Sequence, residues 1–127
     1  MIPIERSATF DATGQYRYRL DRRWDPHRPA LTFVMLNPSR ADHRQDDPTL
    51  RRCIGLSQGW EYGALTVVNL FAYCSSKPKQ LQTAVDPVGP ENDRYLLSAF
   101  RDTQTIVLAF GNCVCLYQRN LAVLSFL

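Results

Sequence analysis

The sequence predicts an α/β domain: a three-layer sandwich with a mainly parallel sheet and an N-terminal antiparallel hairpin. Three observations lead there. The runs ALTFVML (30–36), ALTVVNLF (64–71) and TIVLAF (105–110) are apolar almost throughout, the pattern of strands covered on both faces. Helical spacing separates the first run from the second and the second from the third, giving the strand, helix, strand order that builds parallel sheets. Ahead of all three, two alternating segments flank the turn signal Ala12-Thr13-Gly14-Gln15, the form of a hairpin.

Each element has a local reason. Ser7 to Asp11 and Tyr16 to Trp24 are the hairpin strands, and in YRYRLDRRW the alternation sets Tyr16, Tyr18 and Leu20 on one face and Arg17, Arg19 and Asp21 on the other. Two prolines, Pro26 and Pro29, break regular structure before the first core strand, Ala30 to Leu36, which stops at Asn37-Pro38-Ser39. Asp47 is a good N-cap with Pro48 at the first helical position, and Leu50, Cys53, Ile54 and Ser57 then share one helix face. Gly59 and Gly63 bracket the turn into the second core strand, Ala64 to Phe71. Lys77 to Ala84 reads as a short helix or turn, and Asp86-Pro87-Val88-Gly89-Pro90 as a rigid loop. A helix from Pro90 to Arg101 carries Glu91 and Asp93 in its first turn and buries Tyr95, Leu96, Ala99 and Phe100. The third core strand, Thr105 to Phe110, ends at Gly111-Asn112, and the tail from Cys113 to Leu127 is apolar with one charge, Arg119.

Composition bounds the rest. At 127 residues, with 45% apolar and 21% charged side chains, the chain reads as one folded domain over 1–127 and excludes a fibre or a low-complexity scaffold. No apolar run nears the roughly 18 to 20 residues that span a bilayer. Glu5 and Arg6 stand where a signal peptide would be apolar, so a cytoplasmic protein without a membrane partner is expected. Four cysteines (Cys53, Cys74, Cys113 and Cys115) without a Cys-x-x-Cys pair point to a reducing compartment and to no bound metal. The net charge of +3 lies entirely in residues 1–52, which hold 10 basic and 7 acidic side chains, against 5 and 5 in residues 53–127. Of the basic residues 13 are arginine, whose planar fork suits phosphate or carboxylate, a mild pointer to an anionic partner such as nucleic acid or a nucleotide. A solvated arginine face without a ligand is the plainer alternative.

The polar ends of the core strands carry the candidate chemistry. Asn37-Pro38-Ser39, Asn69 and Gly111-Asn112 would gather at the carboxyl edge of a parallel sheet, where ligands bind in such folds. The alternative is that these asparagines satisfy local backbone groups. Asn69 interrupts an apolar strand, where an unpaired amide is costly. The loop from Asp42 to Thr49 precedes a helix start that favours anions, although Asp46 and Asp47 would repel phosphate unless Arg44, Arg51, Arg52 or a metal ion compensates. His43 in that loop could serve as a general base, or lie idle in solvent. Neither nucleotide-binding glycine fingerprint is present, and no cofactor is expected.

YRYRLDRRW (16–24), FVMLNPSRAD (33–42), DDPTLRRC (46–53), VVNLFAY (67–73) and DPVGPEND (86–93) together resemble a bacterial and phage family known as domain of unknown function 1643, over residues 7 to about 112. The tail from residue 113 departs from that family's expected Gly-x-Pro-x-His-Pro-like ending, which reads as divergence or truncation. A more distant resemblance is to uracil-DNA glycosylase-like proteins, with counterparts at Asn37-Pro38, Asn69 and Phe110-Gly111-Asn112. It implies that Asn37 orients water and that Asn69 holds the edge of a base. The His-Pro-Ser type loop of those enzymes has no counterpart.

The resulting expectation is a nucleobase- or nucleic-acid-directed domain, in its fullest form a glycosylase-like hydrolase. Asn37, His43 and Asp47 are its catalytic candidates, and Pro38, Ser39, Arg51, Asn69, Gly111 and Asn112 would contact substrate. The competing expectation is a non-catalytic binding module or a degenerate remnant.

Overall fold

A computed structural model describes residues 4–39, 41–77, 79–111 and 118–127. Among them, strands β1 (Glu5–Phe10), β2 (Arg17–Arg23), β3 (Ala30–Met35), β4 (Ala64–Asn69) and β5 (Thr105–Leu108) form one sheet in the order β1-β2-β4-β3-β5. The helices are α1 (Pro48–Gly59), α2 (Lys79–Thr83), α3 (Asn92–Asp102) and α4 (Arg119–Leu124).

The three core strands run parallel, β3 pairing with both β4 and β5, and α1 links β3 to its neighbour β4. The sheet as a whole is mixed and not mainly parallel. The hairpin strand β2 pairs antiparallel with β1 on one side and with β4 on the other. The hairpin adds these ladders because β2 is not a solvated edge strand: Tyr18, Leu20 and Arg22 are all buried, so it docks against the middle of the sheet.

Alternation along the core strands feeds two apolar clusters. Leu31 and Phe33 of β3 and Leu65 and Val67 of β4 pack with Leu20 and with Leu50, Cys53 and Ile54 of α1. Val34 and Val68 join Leu81 of α2, Leu96 and Ala99 of α3 and Val123 of α4 in the other. All six residues of β4 are buried, as its apolar run predicts. Helix α1 buries the expected face, Leu50, Cys53, Ile54 and Ser57, and the Asp47 side chain accepts from the Leu50 N–H at its start. Pro48 at the first helical position forfeits no bond, since that N–H has no intrahelical acceptor.

A β-bulge breaks the alternation expected for β2. Thr9 pairs with Arg19 and Phe10 with Arg17, which leaves Tyr18 as the extra residue. Tyr18 and Arg19 therefore both meet α3: the Tyr18 ring stacks on Tyr95 at 5.0 Å, and the Arg19 guanidinium pairs with Asp102 at 3.0 Å. Leu20 packs in the α1 cluster, and both Arg17 and Arg22 reach the loop before α1. The phase of the strand has reversed across Tyr18, so Tyr18 and Leu20 do not share a face.

Two glycines are required by close approach. A Cβ on Gly63 would fall 2.0 Å from the Asp25 carbonyl oxygen. Gly89 has φ +94°, and its Cβ would crowd the rings of Tyr16 and Tyr18 at 3.0 and 3.1 Å, so the Asp86-to-Pro90 loop lies flat on those tyrosines.

Candidate functional site

Because β2 runs antiparallel to β4, its amino end lies at the same sheet edge as the carboxyl ends of β3 and β4. The Arg17 N–H donates to the Ala72 carbonyl at 3.0 Å just beyond β4. A pocket of about 70 Å³ opens at that edge, between the sheet and the start of α1. Arg17 lines it from β2, Asn37, Pro38 and Ser39 from the turn after β3, Asp47 and Thr49 from the start of α1, and Asn69 from the end of β4. Met35, Leu50, Cys53 and Val67 give it apolar walls. The volume is below the few hundred Å³ of a pocket that engulfs a whole small molecule, so a ligand would enter it by its polar edge.

Five of the expected site residues thus meet: Asn37, Pro38, Ser39, Asp47 and Asn69. Others do not. His43 and Arg51 are exposed and do not line the pocket, and Arg51 donates to the Asp46 carbonyl at 3.3 Å. Gly111 is exposed beyond β5, which lies on the far side of β3 from β4. Asn112 lies outside the described residues, as do Cys113 and Cys115.

The asparagines differ sharply. The Asn37 side-chain amide donates to the carbonyls of Ser75 at 3.0 Å and Pro38 at 3.2 Å, and the Ser75 N–H donates back to the Pro38 carbonyl at 2.9 Å. Its NH₂ group therefore ties the β3 turn to the 73–75 segment, the local backbone role weighed against a site role. Asn69 is 1% exposed, and among the described residues neither its Oδ1 nor its Nδ2 has a partner. Leaving an amide buried and unpaired costs on the order of 1–3 kcal/mol for each group, a cost that folding alone does not explain.

Asp47 is engaged at both oxygens, accepting from the Leu50 N–H at 2.8 Å and the Ser39 hydroxyl at 3.2 Å. It is the one carboxylate among the described lining residues. Burial pushes the Cys53 thiol up, and the Asp47 charge adds to this, so Cys53 stands as a neutral wall.

Arg17 is the residue that sequence alternation placed on the wrong face. It is 5% exposed and, among the described residues, makes one side-chain hydrogen bond, from Nη1 to the Ala41 carbonyl at 2.9 Å. Among the described residues its buried Nε has no partner and no carboxylate lies within ion-pair distance of it. Burial pushes its pKa down to about 10, which still leaves a cation at neutral pH. The only sequence signal for it was the arginine excess of residues 1–52, because a bulge leaves no mark in YRYRL. Among the described residues no three His, Cys, Asp or Glu side chains gather to hold a metal ion, and no helix is long and apolar enough to cross a membrane.

A family model described as protein of unknown function (DUF1643) matches residues 17–127, and the chain belongs to that family. The match includes 113–127, the stretch that the sequence set apart as divergent. There α4 is anchored by Arg119, which donates to the Leu70 carbonyl at 2.7 Å and pairs with Asp93. No curated protein and no solved structure matches the chain.

Proposed function

We propose that this member of a family of unknown function recognises a nucleobase-bearing ligand through the amide of Asn69. The observation that carries the reading is that amide, buried in an apolar wall of a pocket with neither its donor nor its acceptor paired among the described residues. A carboxamide held in this way presents one donor and one acceptor side by side, the pairing that the edge of a base answers bidentately. In so dry a setting a ligand that supplies both partners gains strongly over one that supplies neither.

The reading takes the chain as one cytoplasmic domain with helices on both sides of the sheet, which the two apolar clusters support. Its glycosylase-like form keeps Asn37 and Asp47. The Asn37 Oδ1 would orient a water, Asp47 would take its proton, the water oxygen would bond to the sugar carbon as the bond to the base breaks, and the base would leave with the bonding pair and take up the proton held by Asp47. Pro38 and Ser39 line the pocket and would contact substrate, and His43 takes no part, being exposed outside it. One observation favours the second reading, a non-catalytic binding module: the Asn37 NH₂ and both Asp47 oxygens already serve the turn and the helix cap.

The test is titration of the protein with uracil, cytosine, adenine, guanine and their nucleosides and 5′-monophosphates, followed by amide chemical shifts, with release of free base read on the same samples. The expected result is saturable shifts at Asn69 and its pocket neighbours that Asn69→Leu abolishes. A folded protein that binds none of these overturns the reading, and binding without base release selects the binding module.

A further inference from the structure

Arg17 is left with its most useful edge free. Nη1 is committed to the Ala41 carbonyl, while Nε is buried without a partner and Nη2 makes no hydrogen bond among the described residues. Nε–H and Nη2–H are parallel donors on one side of the guanidinium plane, the fork that takes two oxygens of a single carboxylate or phosphate. Beside it, Thr49 lines the same pocket in the first turn of the 12-residue α1, where backbone N–H groups have no intrahelical acceptor and the helix dipole favours negative charge.

The charge balance limits what fits. Arg17 and the helix start are positive, and the Asp47 carboxylate is negative but already receives the Leu50 N–H and the Ser39 hydroxyl. Among the described lining residues the balance is slightly positive, which favours an anion over a cation. A buried cation with no carboxylate within ion-pair distance among the described residues is costly to keep, and the one side-chain hydrogen bond found there, to Ala41, does not repay that cost. Its neighbour Arg22 shows the contrast, with Nε on Asp46 at 3.0 Å and three carbonyls on the remaining nitrogens.

We propose that Arg17 binds a forked oxyanion carried by the same ligand whose base edge Asn69 reads. The inference rests on the nucleobase reading above and deepens it: the ligand is an anionic derivative of a base, and its charge sits against Arg17. Two sources share that chemistry, a nucleotide phosphate and a carboxylate attached to the base itself.

The experiment compares uridine, uridine 5′-monophosphate, uracil-6-carboxylate, inorganic phosphate and acetate on the parent, and on Arg17→Met, Arg17→Lys and Asn69→Leu, by calorimetry at neutral pH. The expected result is that one anionic derivative binds the parent at least about tenfold tighter than uridine. That advantage disappears in Arg17→Met and is largely lost in Arg17→Lys, which keeps the charge but not the fork. The derivative that gains identifies the source. Equal binding of uridine and both anions overturns the inference and leaves the base reading standing. Binding of phosphate or acetate that depends on Arg17, with no gain from the base and no effect of Asn69→Leu, overturns the base reading and keeps the anion site. Binding by none of the five overturns both. The parent comparison alone decides the matter if an arginine variant fails to fold.

Discussion

Arg17 and Arg22 stand on the same strand and are both buried, yet only Arg22 is saturated with acceptors. Arg22 has no exposed surface and donates to Asp46 and to the carbonyls of Asp21, Asp42 and Gln45. The Arg17 guanidinium donates, among the described residues, to the Ala41 carbonyl alone. One guanidinium fastens the loop before α1 to the sheet, and the other faces the pocket which that loop encloses. Replacing Arg22 should therefore cost stability, and replacing Arg17 should not.

Arg22→Met should destabilise the protein by about 2–4 kcal/mol. Breaking a buried pair leaves its partner uncompensated, and the figure falls towards the lower end because Asp46 keeps 18% side-chain exposure. The loop from Asp42 to Asp46 loses its anchor and should become the preferred site of limited proteolysis. An unchanged melting temperature with the loop still resistant would refute this role.

Arg17→Met should be neutral or stabilising by up to about 2 kcal/mol. It removes a charge whose burial no ion pair offsets and forfeits one hydrogen bond worth about 1 kcal/mol. Urea denaturation beside the parent measures it, and a loss above about 2 kcal/mol would make Arg17 a structural residue.

Asn69→Leu keeps the side-chain volume and deletes an amide with no partner among the described residues. The free protein should hold its stability within about 1 kcal/mol or gain, because the change strands no buried group and removes two unpaired ones. Destabilisation beyond about 2 kcal/mol in a reversible two-state transition would show that Asn69 serves the fold, and recognition by its amide would be withdrawn.

The Asp42 carboxyl is held below its ordinary value of 3.8 by the N–H groups of Gln45 and Arg44, which it accepts at 2.7 and 2.8 Å. A depressed carboxylate contributes stability above its unfolded value and loses it as pH falls through the folded one. The loop should therefore hold down to about pH 3.8 and loosen only below it. The Asp42 carboxyl carbon should titrate with a midpoint under 3.8, and a midpoint at or above it would contradict the turn.

The sequence by itself determined the parts whose causes are local. Asp47 and Pro48 mark the start of α1, the spacing of Leu50, Cys53, Ile54 and Ser57 gives its buried face, and unbroken apolar runs mark β3 and β4. Because those strands are parallel neighbours, their ends bring Asn37 and Asn69 to one pocket, as the strand-end reasoning expects. What tertiary structure decided is non-local. The sheet became mixed when β2 docked on β4, a pairing between segments more than 40 residues apart that neither states in its own pattern. The bulge at Tyr18 reversed the phase of β2 and turned Arg17 from an outward charge into the cation of the pocket. The carbonyls of Ser75 and Pro38 claimed the Asn37 amide while the Asn69 amide found no partner among the described residues, and nothing in the two asparagines' own flanks distinguishes those fates. Periodicity and caps are written in a few neighbouring residues, whereas register, bulges and the pairing of buried polar atoms depend on which distant segments meet.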